Sequence, residues 1–204
     1  MALMMLIRHG RTPGNSTDRF IGQYDERIDE AGARQASLLV PRLERFRPDR
    51  LISSDLQRCT QTIAPFVSAS GMEVETDARL REVGDGEWTN RTQEELWAGW
   101  PDLMRRYFEG EDVPRPGGER WKDVRRRVLA ALNDIASEME PAERVVICTH
   151  AGPSLLFASW ITGVALPGNI FMGPFSPPGN AAVTLADPHA PLMISWNETC
   201  HLKT

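Results

Sequence analysis

Two histidines occupy comparable places in the sequence, each directly after an apolar run and just before a turn that contains glycine. His9 follows residues 3–8, and His150 follows residues 144–149. Imidazole exchanges protons near neutral pH and can also act as a nucleophile. Catalytic groups in open α/β sheets gather at the carboxyl ends of strands. A lone histidine there is more often a structural turn residue, but two of the chain's four histidines in the same setting favour a catalytic pair.

Two arginines accompany this pair. Arg8 directly precedes His9, and Arg58 follows a third apolar run, in the expected first turn of a helix. A cation near a helix N-terminus is unfavourable by roughly 0.3–1 kcal/mol. Because local rules are broken most often at functional sites, Arg58 is a candidate functional residue. The alternative interpretation is a surface ion pair with Asp55.

A polar loop at residues 80–88 supplies the carboxylates. Glu82 and Glu87 both lie in this loop, and composition alone does not distinguish them. The helix that is expected after His150 offers free backbone N–H groups, which suit an anion.

The elements that would position these side chains are strands alternating with helices. The clearest helical stripe is formed by Trp121, Val124, Val128, Leu132, Ile135 and Met139, at spacings of three or four. The pattern predicts a three-layer α/β sandwich around a mostly parallel sheet, with helices on both faces. Strands are expected at 3–8, 50–53, 144–149, 181–186 and 192–196, and helices at 56–67, 121–139 and 152–161. A further helix is expected to begin near Glu30, with a stripe that reaches Leu43 and a kink predicted at Pro41.

Residues from about 84 to 119 differ in composition from the rest. They contain three tryptophans, Trp88, Trp97 and Trp100, and end in a proline–glycine–glycine turn. We expect a small helical insertion over the active site, within a single domain spanning residues 1–204. The tryptophans could contact a substrate, or they could simply pack the insertion onto the sheet, which is the more common use.

Composition excludes several classes of protein. The 204 residues carry a net charge of −5, which argues against a nucleic-acid partner. No apolar run approaches the roughly 20 residues that span a bilayer. The three cysteines show no zinc-ligand spacing and fit a reducing cytoplasm. No G-x-G-x-x-G follows the first strand, which disfavours a dinucleotide-binding protein. Oligomeric state and substrate are not specified.

Five segments together resemble the histidine phosphatase superfamily, which includes the cofactor-dependent phosphoglycerate mutases. The order and spacing of the segments carry the resemblance, since an isolated R-H-G is a weak signal. They are RHGRTPGN at 8–15, SDLQRCTQT at 54–62, LREVGDGEW at 80–88, PGGE at 116–119 and THAG at 149–152.

The resemblance implies a metal-free, cofactor-free reaction through phosphohistidine. His9 would attack phosphorus, while Arg8, Arg58 and His150 would hold the phosphoryl oxygens. Glu82, which the motif selects over its neighbour in the loop, would protonate the leaving oxygen and then activate water. Phosphoryl transfer needs chiefly positioning and charge stabilisation, which guanidinium groups supply.

The resemblance also implies a set of phosphate-binding or substrate-binding residues, namely Thr12, Asn15, Gly22 and Ala151. The segment that begins at Gly22 lacks the proline and threonine of the family pattern, so the specificity of the pocket rim is not carried over. Asp29, at the end of that segment, can still cap the next helix. His201 is assigned no role.

Three functions are compatible with this resemblance. A phosphomonoester hydrolase of a small phosphorylated metabolite is favoured. A phosphoglycerate mutase-type phosphotransferase is the alternative, but such mutases are longer and typically carry tryptophan where Gly14 stands here. A non-catalytic module that binds a phosphorylated ligand is disfavoured, because His9, Arg58, Glu82 and His150 are all present.

Overall fold

The fold was analysed in a computed structural model, which describes residues 1–17 and 19–203. Its strands are β1 (Leu3–Arg8), β2 (Arg50–Ser53), β3 (Glu75–Thr76), β4 (Arg144–Thr149), β5 (Val183–Asp187) and β6 (Leu192–Glu198). They form one sheet in the order β3-β2-β4-β1-β5-β6. The first four strands run parallel, and β5 and β6 are antiparallel to their neighbours. The expected mostly parallel sheet is confirmed, with the two-residue β3 as an unexpected addition.

Among the described residues, six α-helices connect the strands. They are α1 (Glu30–Phe46), α2 (Gln57–Ser70), α3 (Gln93–Gly99), α4 (Pro101–Phe108), α5 (Trp121–Glu138) and α6 (Ala151–Thr162). The Asp29 side chain accepts a hydrogen bond from the Gly32 amide at 2.8 Å, as its predicted capping role requires. The helix continues through Pro41 to Phe46.

Apolar side chains on alternate positions of the strands divide the core into two halves. Met4 and Leu6 belong to one cluster, and Met5 and Ile7 belong to the other. Successive strand residues face opposite sides of a sheet, so each face requires its own cover. The stripe of α5, together with α6, covers the first face, and α1 with α2 covers the second. This arrangement is the predicted three-layer sandwich.

The chain leaves β1 and β4 toward opposite faces of the sheet. These two strands are parallel neighbours, and Arg8 pairs with Thr149 at their carboxyl ends. The helix after β1 packs on one face and the helix after β4 packs on the other. Ligands in open α/β sheets bind in the crevice that such a divergence leaves. The crevice here lies between His9 and His150.

Residues 84–119 contain α3 and α4 and a third, smaller apolar cluster, centred on Trp88, Leu96 and Met104. The division of the chain into one domain with an insertion stays a prediction. Across residues 1–17 and 19–203, no helix has the length and apolar character needed to cross a membrane.

Candidate active site

A cavity of about 690 Å³ opens at the carboxyl ends of β1 and β4. Eight of the nine predicted site residues line it: Arg8, His9, Thr12, Asn15, Gly22, Arg58, Glu82 and Ala151. The ninth, His150, is fully buried beside it. The sequence motifs, which are spread over more than 140 positions, therefore converge on one place.

His9 presents one ring nitrogen to this cavity. Its Nδ1 lies 2.8 Å from the carbonyl oxygen of Gly10. A carbonyl only accepts, so Nδ1 carries the proton and Nε2 keeps its lone pair. Burial lowers the pKa of His9 well below 6.5, and the positive charges of Arg58 and Arg8 lower it further. A neutral imidazole whose Nε2 keeps its lone pair can act as a nucleophile.

Gly10 contacts two helices, α2 and α1, and these contacts position the loop that carries His9. The Gly10 amide donates to Thr62 Oγ1 at 2.8 Å. A Cβ at position 10 would lie 2.9 Å from the carbonyl oxygen of Gly32 in the first turn of α1. Glycine is therefore required at this turn by the close approach of backbone to backbone.

Arg58 is buried with no carboxylate partner among the described residues. Its Nη1 and Nη2 donate to the carbonyl oxygens of Tyr24 and Gly22, at 2.8 and 2.6 Å. Its Nε donates to His150 Nδ1 at 3.1 Å. The alternative of an ion pair with Asp55 is wrong, because Asp55 pairs with Arg81 instead. The described partners of Arg58 are therefore all neutral, and its positive charge lies at the wall of the cavity.

His150 is held neutral behind Arg58. Because Arg58 donates to Nδ1, the other nitrogen, Nε2, carries the proton and donates to Ser54 Oγ at 2.9 Å. Burial lowers the pKa of His150 well below 6.5, and the charge of Arg58 adds to the effect. The rings of His9 and His150 lie 5.2 Å apart. In this arrangement His150 orients Arg58, and its direct contact with a phosphoryl group stays a prediction.

Arg8 and Asn15 complete the rim around His9. Arg8 Nη1 donates to the carbonyl of Pro178 at 2.6 Å, and burial lowers the pKa of its guanidinium. The Asn15 Oδ1 accepts from Thr12 and Asn180, so its amide nitrogen is the end that is left to donate to a ligand.

Glu82 lines the cavity, whereas Glu87 is exposed outside it. The Glu82 carboxylate accepts hydrogen bonds from the amides of Val83 and Gly152, at 2.9 and 3.0 Å. A Cβ at Gly152 would collide with Glu82 Oε1. Gly152, the second residue after His150, therefore makes room for the carboxylate, a role that the motif alone did not reveal.

The loop that carries Glu82 is clamped from α5. Arg127 donates to the carbonyl oxygens of Arg79, Arg81 and Glu82, at 2.6–2.7 Å. Its charge is balanced by Glu119, which also accepts from the amide of Gly84. The spacing of the apolar stripe did not predict this contact, because Arg127 lies on the polar side of α5.

A second wall of the cavity was not predicted from the sequence. It is formed by Asp85, Arg115 and Trp121, all of which are buried. Arg115 Nε donates to Asp85 Oδ1 at 2.9 Å, and the Arg115 guanidinium carbon lies 5.1 Å from the centre of the Trp121 ring. Burial raises the pKa of Asp85 to about 7, an effect that outweighs the opposing charge of Arg115.

The three tryptophans of residues 84–119 pack rather than line the cavity. Trp88 is fully buried in the third cluster, and Trp100 packs against it. Trp97 stacks on Phe108. His201 is half-buried and donates from Nε2 to the carbonyl of Ala181 at 3.0 Å.

The charges of the pocket come from side chains. Within residues 1–17 and 19–203, no group of three or more His, Cys, Asp or Glu residues could hold a metal ion. What the site offers is a neutral imidazole nitrogen, two arginines and a carboxylate on one cavity. That set can transfer a phosphoryl group by nucleophilic attack.

Comparison of the sequence with protein families gives one match over most of the chain. The histidine phosphatase superfamily (branch 1) matches residues 4–191. A protein of Yersinia pestis (strain Pestoides F), named as a probable phosphoglycerate mutase GpmB, is 34% identical over 151 residues, which are 74% of this chain and 70% of that protein.

Solved structures share the fold. The mycobacterial glucosyl-3-phosphoglycerate phosphatase in complex with VO3 aligns with a TM-score of 0.77 and 28% identity, over 90% of this chain and 91% of that one. YhfR of Bacillus stearothermophilus aligns with a TM-score of 0.88 over 100% of both chains, at 24% identity. The second likeness is one of fold alone.

Proposed function

We propose, from the premise that this chain belongs to the histidine phosphatase superfamily (branch 1), that it hydrolyses a small phosphomonoester through a phosphorylated His9. The observation that carries the proposal is the free Nε2 of a neutral imidazole, which faces a cavity lined by Arg8 and Arg58. An imidazolium would have no lone pair with which to attack phosphorus.

The first step forms a phosphorus–nitrogen bond. His9 Nε2 gives its lone pair to phosphorus, and the bond from phosphorus to the alcohol oxygen breaks. Glu82 donates a proton to that oxygen, so the alcohol leaves neutral. Arg8 and Arg58 balance the charge on the three equatorial oxygens, which is where such transition states carry it.

The second step returns the enzyme to its starting state. A water oxygen attacks the phosphorus of phosphohistidine while the Glu82 carboxylate accepts one of the water's protons. The phosphorus–nitrogen bond breaks, its electron pair returns to Nε2, and phosphate is released. Glu82 is suited to both steps because Gly152 and Val83 fix its position from the backbone.

A mutase is the second candidate, since a relative is named as a probable phosphoglycerate mutase. A mutase must hold a bisphosphorylated intermediate, which requires a second strongly cationic pocket. Beyond Arg8 and Arg58, the cavity carries Arg19 and Arg115 against Glu26, Asp85 and Glu94. This balance favours hydrolysis.

We also propose a cytoplasmic location, since Cys59, Cys148 and Cys200 are all free thiols.

The test is a rapid-quench experiment with p-nitrophenyl phosphate in the presence of EDTA. We expect a burst of p-nitrophenol, an acid-labile phosphoenzyme, and steady release of inorganic phosphate. His9→Ala should abolish all three. Activity that survives in the variant would overturn the mechanism, and so would loss of activity in EDTA that a divalent ion restores.

A further inference from the structure

Part of the cavity wall is polar, buried and unused by the proposed reaction. Asp85, Arg115 and Trp121 line the cavity with only 4%, 3% and 1% of their surface exposed. Buried polar groups are normally all hydrogen-bonded. In the wall formed by these three residues, the polar wall, the Trp121 indole departs from that rule.

Each member of the polar wall has an unused hydrogen-bonding atom. Arg115 spends Nε on Asp85 Oδ1 and Nη1 on the carbonyl of Glu119. Within the described part of the chain, its Nη2 and the other Asp85 oxygen, Oδ2, make no hydrogen bond. The Trp121 indole Nε1 is buried without any partner. Two donors and one acceptor on these three cavity-lining residues therefore have no hydrogen-bond partner within the described part of the chain.

A further residue that lines the cavity, Glu26, also has an acceptor without a partner. Glu26 Oε2 accepts from the amide of Gly14 at 3.2 Å, but Glu26 Oε1 is buried and unpartnered. A ligand carboxylate has only acceptors, so it could satisfy the donors and would be repelled by Glu26 and Asp85. A hydroxyl group both donates and accepts, so hydroxyl groups can satisfy all of these atoms.

The remaining surface of the cavity also fits a neutral ligand with a carbon frame. Phe20, Tyr107 and Phe171 line it. Aromatic faces provide apolar contact for the carbon side of a ring, while the polar wall offers both donors and acceptors. The cavity of about 690 Å³ leaves ample space beyond the phosphoryl pocket.

We propose that the polar wall binds the hydroxyl groups of a neutral, polyhydroxylated alcohol, so that the substrate is a sugar-like phosphomonoester. This inference rests on the proposed phosphatase function and adds the substrate class. Asp85 Oδ2 accepts from one hydroxyl, and Arg115 Nη2 and Trp121 Nε1 donate to others. The phosphoryl group of the same molecule lies against His9.

The Asp85–Arg115 pair also joins two loops. The same loops are joined by the hydrogen bond from the Glu87 amide to the carbonyl of Pro116, next to Arg115. A variant that merely loosened these loops would weaken every substrate alike. Trp121→Phe is the informative change, because it removes the indole N–H and leaves the ion pair. Trp88→Phe is the matched control. Its Nε1 is equally buried and unpartnered and its ring also contacts Arg115, but it does not line the cavity.

The experiment compares kcat/KM for esters that differ in hydroxyl groups. One arm takes the best of glucose 6-phosphate, ribose 5-phosphate and glycerol 3-phosphate. The second takes cyclohexylmethyl phosphate, which keeps the ring and the primary ester but has no hydroxyl groups. The third takes phosphoserine and 3-phosphoglycerate, which carry a carboxylate. p-Nitrophenyl phosphate reports the chemistry alone.

We expect the hydroxylated arm to exceed the cyclohexylmethyl ester by at least about 10-fold in kcat/KM. Trp121→Phe should reduce that ratio by roughly 3-fold to 10-fold, and Trp88→Phe should leave it unchanged. A preference for the carboxylate arm, or an equal ratio in both variants, would overturn the inference while the phosphatase function stands. Failure to hydrolyse even p-nitrophenyl phosphate would overturn the proposed function itself.

Discussion

The importance of Glu82 is expected to depend on how much help the leaving oxygen needs. An alkoxide is strongly basic and requires a proton as it leaves, whereas p-nitrophenolate leaves without one. Glu82→Gln should therefore slow phosphorylation of His9 by an alkyl monoester roughly 10²–10⁴-fold, and by p-nitrophenyl phosphate much less. Single-turnover phosphorylation is the measurement, because later water attack also uses Glu82. Glu87→Gln, exposed in the same loop, is the control, and equal losses for both leaving groups would reject the acid role.

Activity should be sensitive to substitution of Gly152, as it is to substitution of the Glu82 carboxylate that this glycine accommodates. Alanine normally stabilises a helix relative to glycine by about 1 kcal/mol, so Gly152→Ala is not expected to unfold α6. Its Cβ would instead collide with Glu82 Oε1 and with the edge of the Trp121 ring, and so displace the carboxylate. We expect a loss of about 10²-fold in kcat for alkyl esters. Gly99→Ala, whose Cβ would meet nothing within 4 Å, should retain full activity.

The loop of Glu82 depends on a helix that carries no catalytic group. Arg127→Ala leaves the carbonyl oxygens of Arg79 and Arg81 without their donor, and removes one of the two donors to that of Glu82, which keeps Gln23 Nε2. We expect the free energy of unfolding to fall by about 1–3 kcal/mol, and kcat for alkyl esters to fall with it. Urea denaturation and steady-state kinetics measure the two effects. Arg126→Ala, one position away and 79% exposed, should change stability by less than about 0.5 kcal/mol; similar losses in both variants would contradict the clamp.

Strands and long helices were predictable from the sequence because periodicity reports burial directly. The run 144–149 and the stripe of α5 are examples, and both lie where they were expected. The two-residue β3 has too few residues to show a period. The polar wall escaped prediction for another reason: Asp85 and Arg115 are 30 positions apart, and Trp121 had already been counted as the start of a core stripe. Contacts between distant loops leave no local pattern.

Over the whole molecule, two buried neutral histidines should make stability depend on pH. Unfolding exposes His9 and His150, which then take up protons below about pH 6.5. Their folded pKa values are lowered, so their contribution is present above that pH and is lost as the pH falls. Each should lower the free energy of unfolding by on the order of 1 kcal/mol at pH 5.5. Asp85, whose pKa is raised to about 7, acts in the opposite direction.

Comparison of two proteins isolates one histidine from the other titrating groups. Urea denaturation of the wild type and of His150→Asn at pH 7.5 and 5.5 gives the change in stability for each. The loss on acidification should be smaller in the variant by on the order of 1 kcal/mol, since Asp85 and His9 are common to both. An identical pH dependence would show that His150 is not held neutral.

The net charge of the chain is −5, yet the cavity beside His9 is lined by Arg8 and Arg58. Among the described residues, neither guanidinium group forms an ion pair with a carboxylate. The acidic surplus lies elsewhere on the molecule. The net charge of the whole chain therefore does not report the charge of a pocket, whose potential is set within a few ångströms.

The hydrogen bond from His9 Nδ1 to the carbonyl of Gly10 also decides which phosphohistidine the enzyme makes. With Nδ1 committed as a donor, the phosphorus–nitrogen bond can form only at Nε2, which gives the τ regioisomer. The two regioisomers are distinct compounds, and ³¹P NMR of the trapped protein, denatured in alkali, distinguishes them. A single τ-phosphohistidine at position 9 is expected, and the π regioisomer would mean that the ring is turned the other way. One carbonyl of the turn thus sets the chemical identity of the intermediate.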